Sequence, residues 1–138
     1  MQILNQRKTR LFIIALVSII TLSSFINFRS VHVKFYNKTG ENIDSLVIAG
    51  SLIGDLKNDN STEHIDFKTF LFDGNNPYEQ ISGIINNKKV TQFNYSWCGT
   101  ERNRRSKGSY VFDLKKQTDE KGNISLYLVE HNKELFLK

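Results

Sequence analysis

One cysteine, one proline, one tryptophan and one methionine are all that 138 residues contain of these four types. A lone cysteine, Cys98, excludes an internal disulfide framework, so the folded part must be held by its own apolar core. It also excludes the paired-cysteine spacing of a zinc site, and His32, His64 and His131 are too scattered to complete a Cys/His set. No Gly-rich phosphate loop and no nucleophile–base motif stands out. These absences lead to the expectation of a non-enzymatic protein with no cofactor and no metal. Beyond residue 30 no stretch repeats apolar residues at helical spacing, which argues against a helical bundle.

Acids are missing from the first thirty residues, where Arg7, Lys8 and Arg10 precede an uncharged apolar run from Leu11 to Phe28. Eighteen helical residues span about 27 Å, close to a ~30 Å hydrocarbon core. Thr21-Leu22-Ser23 is a poor small-x-small cleavage site, so an uncleaved anchor is favoured over a cleaved signal. With the basic residues ahead of the run, the amino terminus should stay in the cytoplasm and the rest should cross to the extracytoplasmic side, periplasm or cell surface. The expected organisation is an anchor or signal segment over residues 1–30 and one domain over residues 31–138. The net charge of +5 comes largely from the anchor flanks, because four of the 19 basic residues and none of the 14 acids precede residue 31. The remainder is nearly neutral, which removes the electrostatic reason to expect a nucleic-acid partner.

What is abundant is alternation. Val31, Val33 and Phe35 share one strand face; Tyr110, Phe112 and Leu114 share another, as do Ile124, Leu126 and Leu128. Asn86-Asn87 suits a two-residue hairpin turn, and "KNDNS" is a polar turn whose Asn and Asp tolerate left-handed backbone. The phase slips between Ile65/Phe67 and Phe70/Phe72, which predicts a bulge or bend near Lys68. "DGNNPYEQ", with Pro77, reads as the longest loop. About seven or eight short strands without intervening helices predict an antiparallel β-sandwich, with an open barrel as the rival.

"DSLVIAGSLIGDLKNDNST" resembles a hairpin of small exported immunoglobulin-like domains of bacterial cell envelopes. Ile53-Gly54-Asp55-Leu56 and Ser61 match its I-G-x-L stretch and following Ser/Thr, while Asn58-Asp59 replaces its usual Pro-Gly turn. The resemblance implies an immunoglobulin-like sandwich and no activity, because a fold carries no function by itself.

"FNYSWCGTERNRRSKG", residues 93–108, concentrates three aromatics, the cysteine and four basic side chains. In an extended chain Phe93, Tyr95 and Trp97 lie on one face, where they either fill the core or form a platform for sugar rings. Cys98 would need a base to act as a nucleophile, and the sequence places no histidine beside it. Arg102, Arg104, Arg105 and Lys107 form a basic cluster between Gly99 and Gly108, read as a loop that either faces water or meets carboxylate or phosphate groups. The acid-rich loops "NDNSTEHID" and "DGNNPYE" lack calcium-loop spacing. Asn-x-Ser/Thr sequons begin at Asn37, Asn60, Asn94 and Asn123.

Together these features predict a membrane-anchored, non-enzymatic interaction or structural module of the cell envelope. Its partners would be the membrane, through the amino-terminal helix, and an envelope protein or anionic polymer. The alternative is a carbohydrate-binding module using Tyr95 and Trp97, with a cysteine-dependent enzyme a distant third.

Overall fold

The computed structural model describes residues 12–18, 30–94 and 101–133. Residues 12–18 form a helix, α1, with every side chain exposed. Among the described residues no helix is long and apolar enough to cross a membrane. Most of the run from Leu11 to Phe28 lies outside them.

The described residues that follow form eleven strands: β1 (Val31–Asn37), β2 (Ile43–Ile48), β3 (Ser51–Leu56), β4 (Ile65–Phe67), β5 (Phe70–Asp73), β6 (Asn76–Pro77), β7 (Ile81–Ile85), β8 (Lys88–Gln92), β9 (Arg102–Arg105), β10 (Gly108–Thr118) and β11 (Ile124–Glu130). Eight form one sheet in the order β3-β2-β7-β8-β11-β10-β1-β4, and three form a second in the order β6-β5-β9. The all-β expectation holds, but the antiparallel part of it needs correction. β1 runs parallel to β10 through the full register from Val31↔Gly108 to Asn37↔Leu114, and β8 runs parallel to β11 at Ser125↔Thr91. The strand order of the larger sheet likewise has no immunoglobulin-like division into two antiparallel sheets.

Local chemistry explains most strand ends. Asn86 and Asn87 take φ of 50° and 61°, the left-handed pair that a two-residue hairpin turn requires, and join β7 to β8. Asp59 is left-handed in the polar turn after β3. The phase slip near Lys68 is a strand break: the chain leaves β4 in the large sheet, bends, and enters β5 in the small one. "DGNNPYEQ" is not a long loop, because Phe72↔Pro77 and Asp73↔Asn76 close a tight hairpin within it.

The core lies where β5 packs onto β1 and β10. Phe70 stands 5.4 Å from Phe112 and 6.3 Å from Phe35, ring centre to ring centre, while Phe67 meets Phe70 edge-on at 5.4 Å. Offset and edge-to-face rings in this range add about 0.5–1.5 kcal/mol per pair beyond the area they bury.

Asn37, at the end of β1, is fully buried and uses every polar atom. Its backbone N–H donates to Asn60 O and its carbonyl accepts from Asp59 N. Its side-chain Nδ2 donates to Glu41 O (2.8 Å) and Leu56 O (2.9 Å), and its Oδ1 accepts from Thr39 N (3.0 Å) and Thr39 Oγ1 (2.7 Å). One residue thus joins β1, the β1–β2 loop and the end of β3 through its side chain, and the turn after β3 through its backbone. A glycan on Asn37 is incompatible with these bonds, whereas Asn60 and Asn94 themselves are exposed.

Candidate functional site

The expected basic loop is a strand. β9 is an edge of the small sheet and pairs with β5 from Phe70↔Arg105 to Asp73↔Arg102. Alternation sends Arg102 and Arg104 to one face and Arg105 to the other.

On the first face each arginine meets an acid that the fold has taken out of water. Arg104 Nη1 lies 3.1 Å from Glu79 Oε1, and Glu79 is only 3% exposed. Two backbone donors complete the Glu79 carboxylate, Leu71 N at 2.9 Å and Gln80 N at 3.2 Å. Arg102 Nε stands 3.9 Å from the buried Asp73 Oδ2; its guanidinium lies over the Tyr78 ring at 4.4 Å, and Nη2 donates to the Tyr78 hydroxyl at 3.2 Å. Arg102 and Arg104 are therefore largely committed to holding the small sheet together. A buried carboxylate needs such a partner more than a surface arginine needs an acid.

On the other face the Arg105 guanidinium carbon lies over Phe72, 4.0 Å from the ring centroid, and Nη2 donates to Asn75 Oδ1 at 3.1 Å. This places it on the wall of a cleft of about 520 Å³ that also takes in Ser109, Tyr110, Glu130, His131 and Lys133. Ser109 and Tyr110 come from the start of β10, and the other three from the end of β11 and the turn after it.

His131 is fixed with care. Its backbone N–H donates to Val111 O, its ring stacks on Tyr36 with centroids 4.5 Å apart, and Nδ1 lies 2.7 Å from Asp113 Oδ1. Asp113 is 4% exposed and accepts a further bond from Asn132 N at 3.1 Å. With Nδ1 engaged by Asp113, Nε2 is left as the ring's other polar atom. Lys133 Nζ is paired with Glu130 Oε2 at 2.6 Å in the open, a contact worth little in water. Arg105, Lys133 and the Asp113-oriented imidazole thus share one cleft with a single exposed acid.

A second Asp–His pair lies elsewhere. His32 Nδ1 contacts Asp66 Oδ1, and Ser30 Oγ is 3.4 Å from His32 Nε2. The order Ser–His–Asp resembles a hydrolytic relay. However, the His32 and Asp66 side chains are 49% and 65% exposed, so no water-excluded wall surrounds them. His64 is exposed. Among the described residues no cluster of three or more His, Cys, Asp or Glu could hold a metal.

Of the residues singled out in the sequence, Arg102, Arg104 and Arg105 fall on β9. Lys107 is exposed at the bend before β10, with no partner among the described residues. Tyr95, Trp97 and Cys98 lie outside the described residues, so the aromatic platform and the thiol have no structural account. Sequence reasoning missed His131 with Asp113, and Glu79 with Arg104. These partners stand 18 and 25 residues apart, and no local pattern joins them.

One turn has a perturbed acid. Asp119 follows β10, and the Asn123 side chain, then its backbone N–H, and the N–H groups of Lys121 and Gly122 hold its carboxyl below the ordinary value; slight burial opposes them. This chemistry shapes the turn between β10 and β11 and lies outside the cleft.

No family model matches the chain, and no curated protein matches it. Among solved structures, the NMR structure of a protein from Eubacterium rectale is similar over 77% of this chain and 94% of its own, with 12% identity and a TM-score of 0.43. Likeness at that level carries no argument about fold or function.

Proposed function

We propose that the chain is a membrane-tethered, non-enzymatic contact module of the cell envelope, and that the Arg105–His131 cleft receives a carboxylate or phosphate group of an envelope protein or anionic polymer. The carrying observation is Arg105 held over Phe72 and bonded to Asn75, with Lys133 and the fixed His131 on the same cleft. A preoriented guanidinium loses little freedom when it binds a planar anion. The anchor is supported by the uncharged run from Leu11 to Phe28, its basic flank, and the apolar side chains that α1 leaves exposed. As to the fold, packing of β5 over β1 and β10 supports a sandwich-like layering of the two sheets.

The test uses the full chain in native membranes, crosslinked and recovered with its neighbours. Carbonate washing should leave the protein in the membrane fraction. Ser109→Asp and Lys133→Glu, both exposed positions on the cleft, should each reduce partner recovery severalfold while thermal stability stays the same. Full recovery of the same partner by both variants would refute the cleft, and release of the uncut chain by carbonate would refute the anchor.

A further inference from the structure

A second concavity has the opposite character. Where β7 begins and β8 ends, a cleft of about 380 Å³ is lined by Gln80, Ser82, Thr91, Gln92 and Asn94 over Val47 and Ile81, with no charged side chain among its described lining residues. The strand register makes this more than a chance gathering. Val47 pairs with Ser82, Ser82 with Thr91, and Thr91 with Ser125. Residues in register point to the same face, so three hydroxyls stand in a row across β7, β8 and β11. At about 4.8 Å per strand the row is roughly 10 Å long.

The amides at the ends of these strands are equally unspent. Among the described residues the side chains of Gln80, Ser82, Thr91 and Gln92 make no hydrogen bond or ion pair, and Asn94 Oδ1 accepts only one long bond, 3.4 Å from the Tyr78 hydroxyl. Amides and hydroxyls can each donate and accept. A site built from them, over an aliphatic floor and without charge, complements a ligand that is itself a dense array of donors and acceptors with an apolar ring face. A phosphate or carboxylate would find no countercharge there. An apolar peptide would bury these amides and hydroxyls without partners, at about 1–3 kcal/mol each.

We infer that this cleft is a binding site for a neutral saccharide, gripped through the in-register hydroxyls of Ser82 and Thr91 and, at the end of β8, through Gln92, and independent of the cationic cleft, with which it shares no lining residue. The site differs from the sequence-derived platform of Tyr95 and Trp97 in resting on amides and hydroxyls, although Asn94 directly precedes Tyr95 in the chain.

The experiment is calorimetric titration of the full chain in detergent with neutral tetrasaccharides of glucose and of N-acetylglucosamine, each against a tetragalacturonate control. The expected result is binding of at least one neutral sugar with a Kd of roughly 0.1–1 mM, the range reached by a few net hydrogen bonds and some ring burial. The control should bind at least tenfold more weakly. Thr91→Val, which keeps the shape and removes the hydroxyl, and Gln92→Ala should each weaken binding about five- to tenfold, corresponding to one hydrogen bond of ~1 kcal/mol. Lys133→Glu should leave sugar binding untouched, which separates this site from the anion cleft. The inference is overturned if no neutral sugar binds at roughly 10 mM, well above the expected Kd. It is equally overturned if Thr91→Val and Gln92→Ala bind as the parent does. Unchanged melting of both variants excludes loss of fold as the cause of any weakening.

Discussion

Replacing Asn37 with alanine should be among the costliest single changes available to this protein. The side chain makes four hydrogen bonds between 2.7 and 3.0 Å, and the residue has no exposed surface through which water could replace them. Truncation leaves Leu56 O, Glu41 O and Thr39 N without that partner. The Thr39 hydroxyl, released from Asn37 Oδ1, can turn its one proton to Glu41 O at 3.0 Å, so the loss at that carbonyl is partial. At about 1 kcal/mol per bond, with a further penalty for buried groups left unpaired, the expected destabilisation is roughly 3–4 kcal/mol. For a domain of this size that is about 15 °C in Tm. Asn37→Asp should be worse, since it presents a carboxylate to two carbonyl oxygens. Urea denaturation followed by circular dichroism checks this: the midpoint should fall with an unchanged slope. A loss below about 1 kcal/mol would show that the β1–β2 loop is not fastened through this amide, because one ordinary hydrogen bond accounts for that much.

Other expectations follow from the same geometry. Arg104→Glu sets a second carboxylate beside buried Glu79 and should cost roughly 2–4 kcal/mol, whereas Lys107→Glu, three residues further on and without a partner among the described residues, should stay within about 0.5 kcal/mol; equal melting of the two would refute the Arg104–Glu79 contact. A Cβ on Gly83 would lie 2.7 Å from Ile43 Cγ2, and Ile43 is fully buried, so Gly83→Ala should lose about 1–3 kcal/mol in a denaturant titration. The Asp119 carboxyl is held below its unfolded value, so its contribution is complete above the unfolded value and disappears as pH falls through the lower folded one. Amide exchange at Lys121 and Asn123 should therefore accelerate in that acid window, and Asp119→Asn should abolish the acceleration.

The sequence reveals its strands and turns wherever the signal is local. Alternation at Val31–Phe35 and Tyr110–Leu114 marks buried faces, and Asn86-Asn87 marks a hairpin, because a few neighbouring residues decide both. Partnership between distant strands has no such signal. The alternation of β1 suits a parallel or an antiparallel neighbour equally well, so its parallel seam with β10, nearly eighty residues onward, is invisible in sequence. The slip at Lys68 shows that something happens there but does not distinguish a bulge from a change of sheet. For the site, the cluster of arginines at 102–105 is conspicuous. Its meaning depends on Asp73, Glu79 and Phe72, which only the pairing of β9 with β5 brings alongside. His131 draws notice in the sequence as an isolated titratable residue, and only the fold supplies Asp113.

The placement of β1 has a mechanical consequence. The strand begins two residues after Arg29, and it is clamped on both sides, by β10 over seven residue pairs and by β4 over three. A pull along the axis of this strand loads these pairs in shear, so they resist together instead of parting one after another. If the proposed anchor holds the chain at this point, drag on the domain is shared by all of these pairs at once.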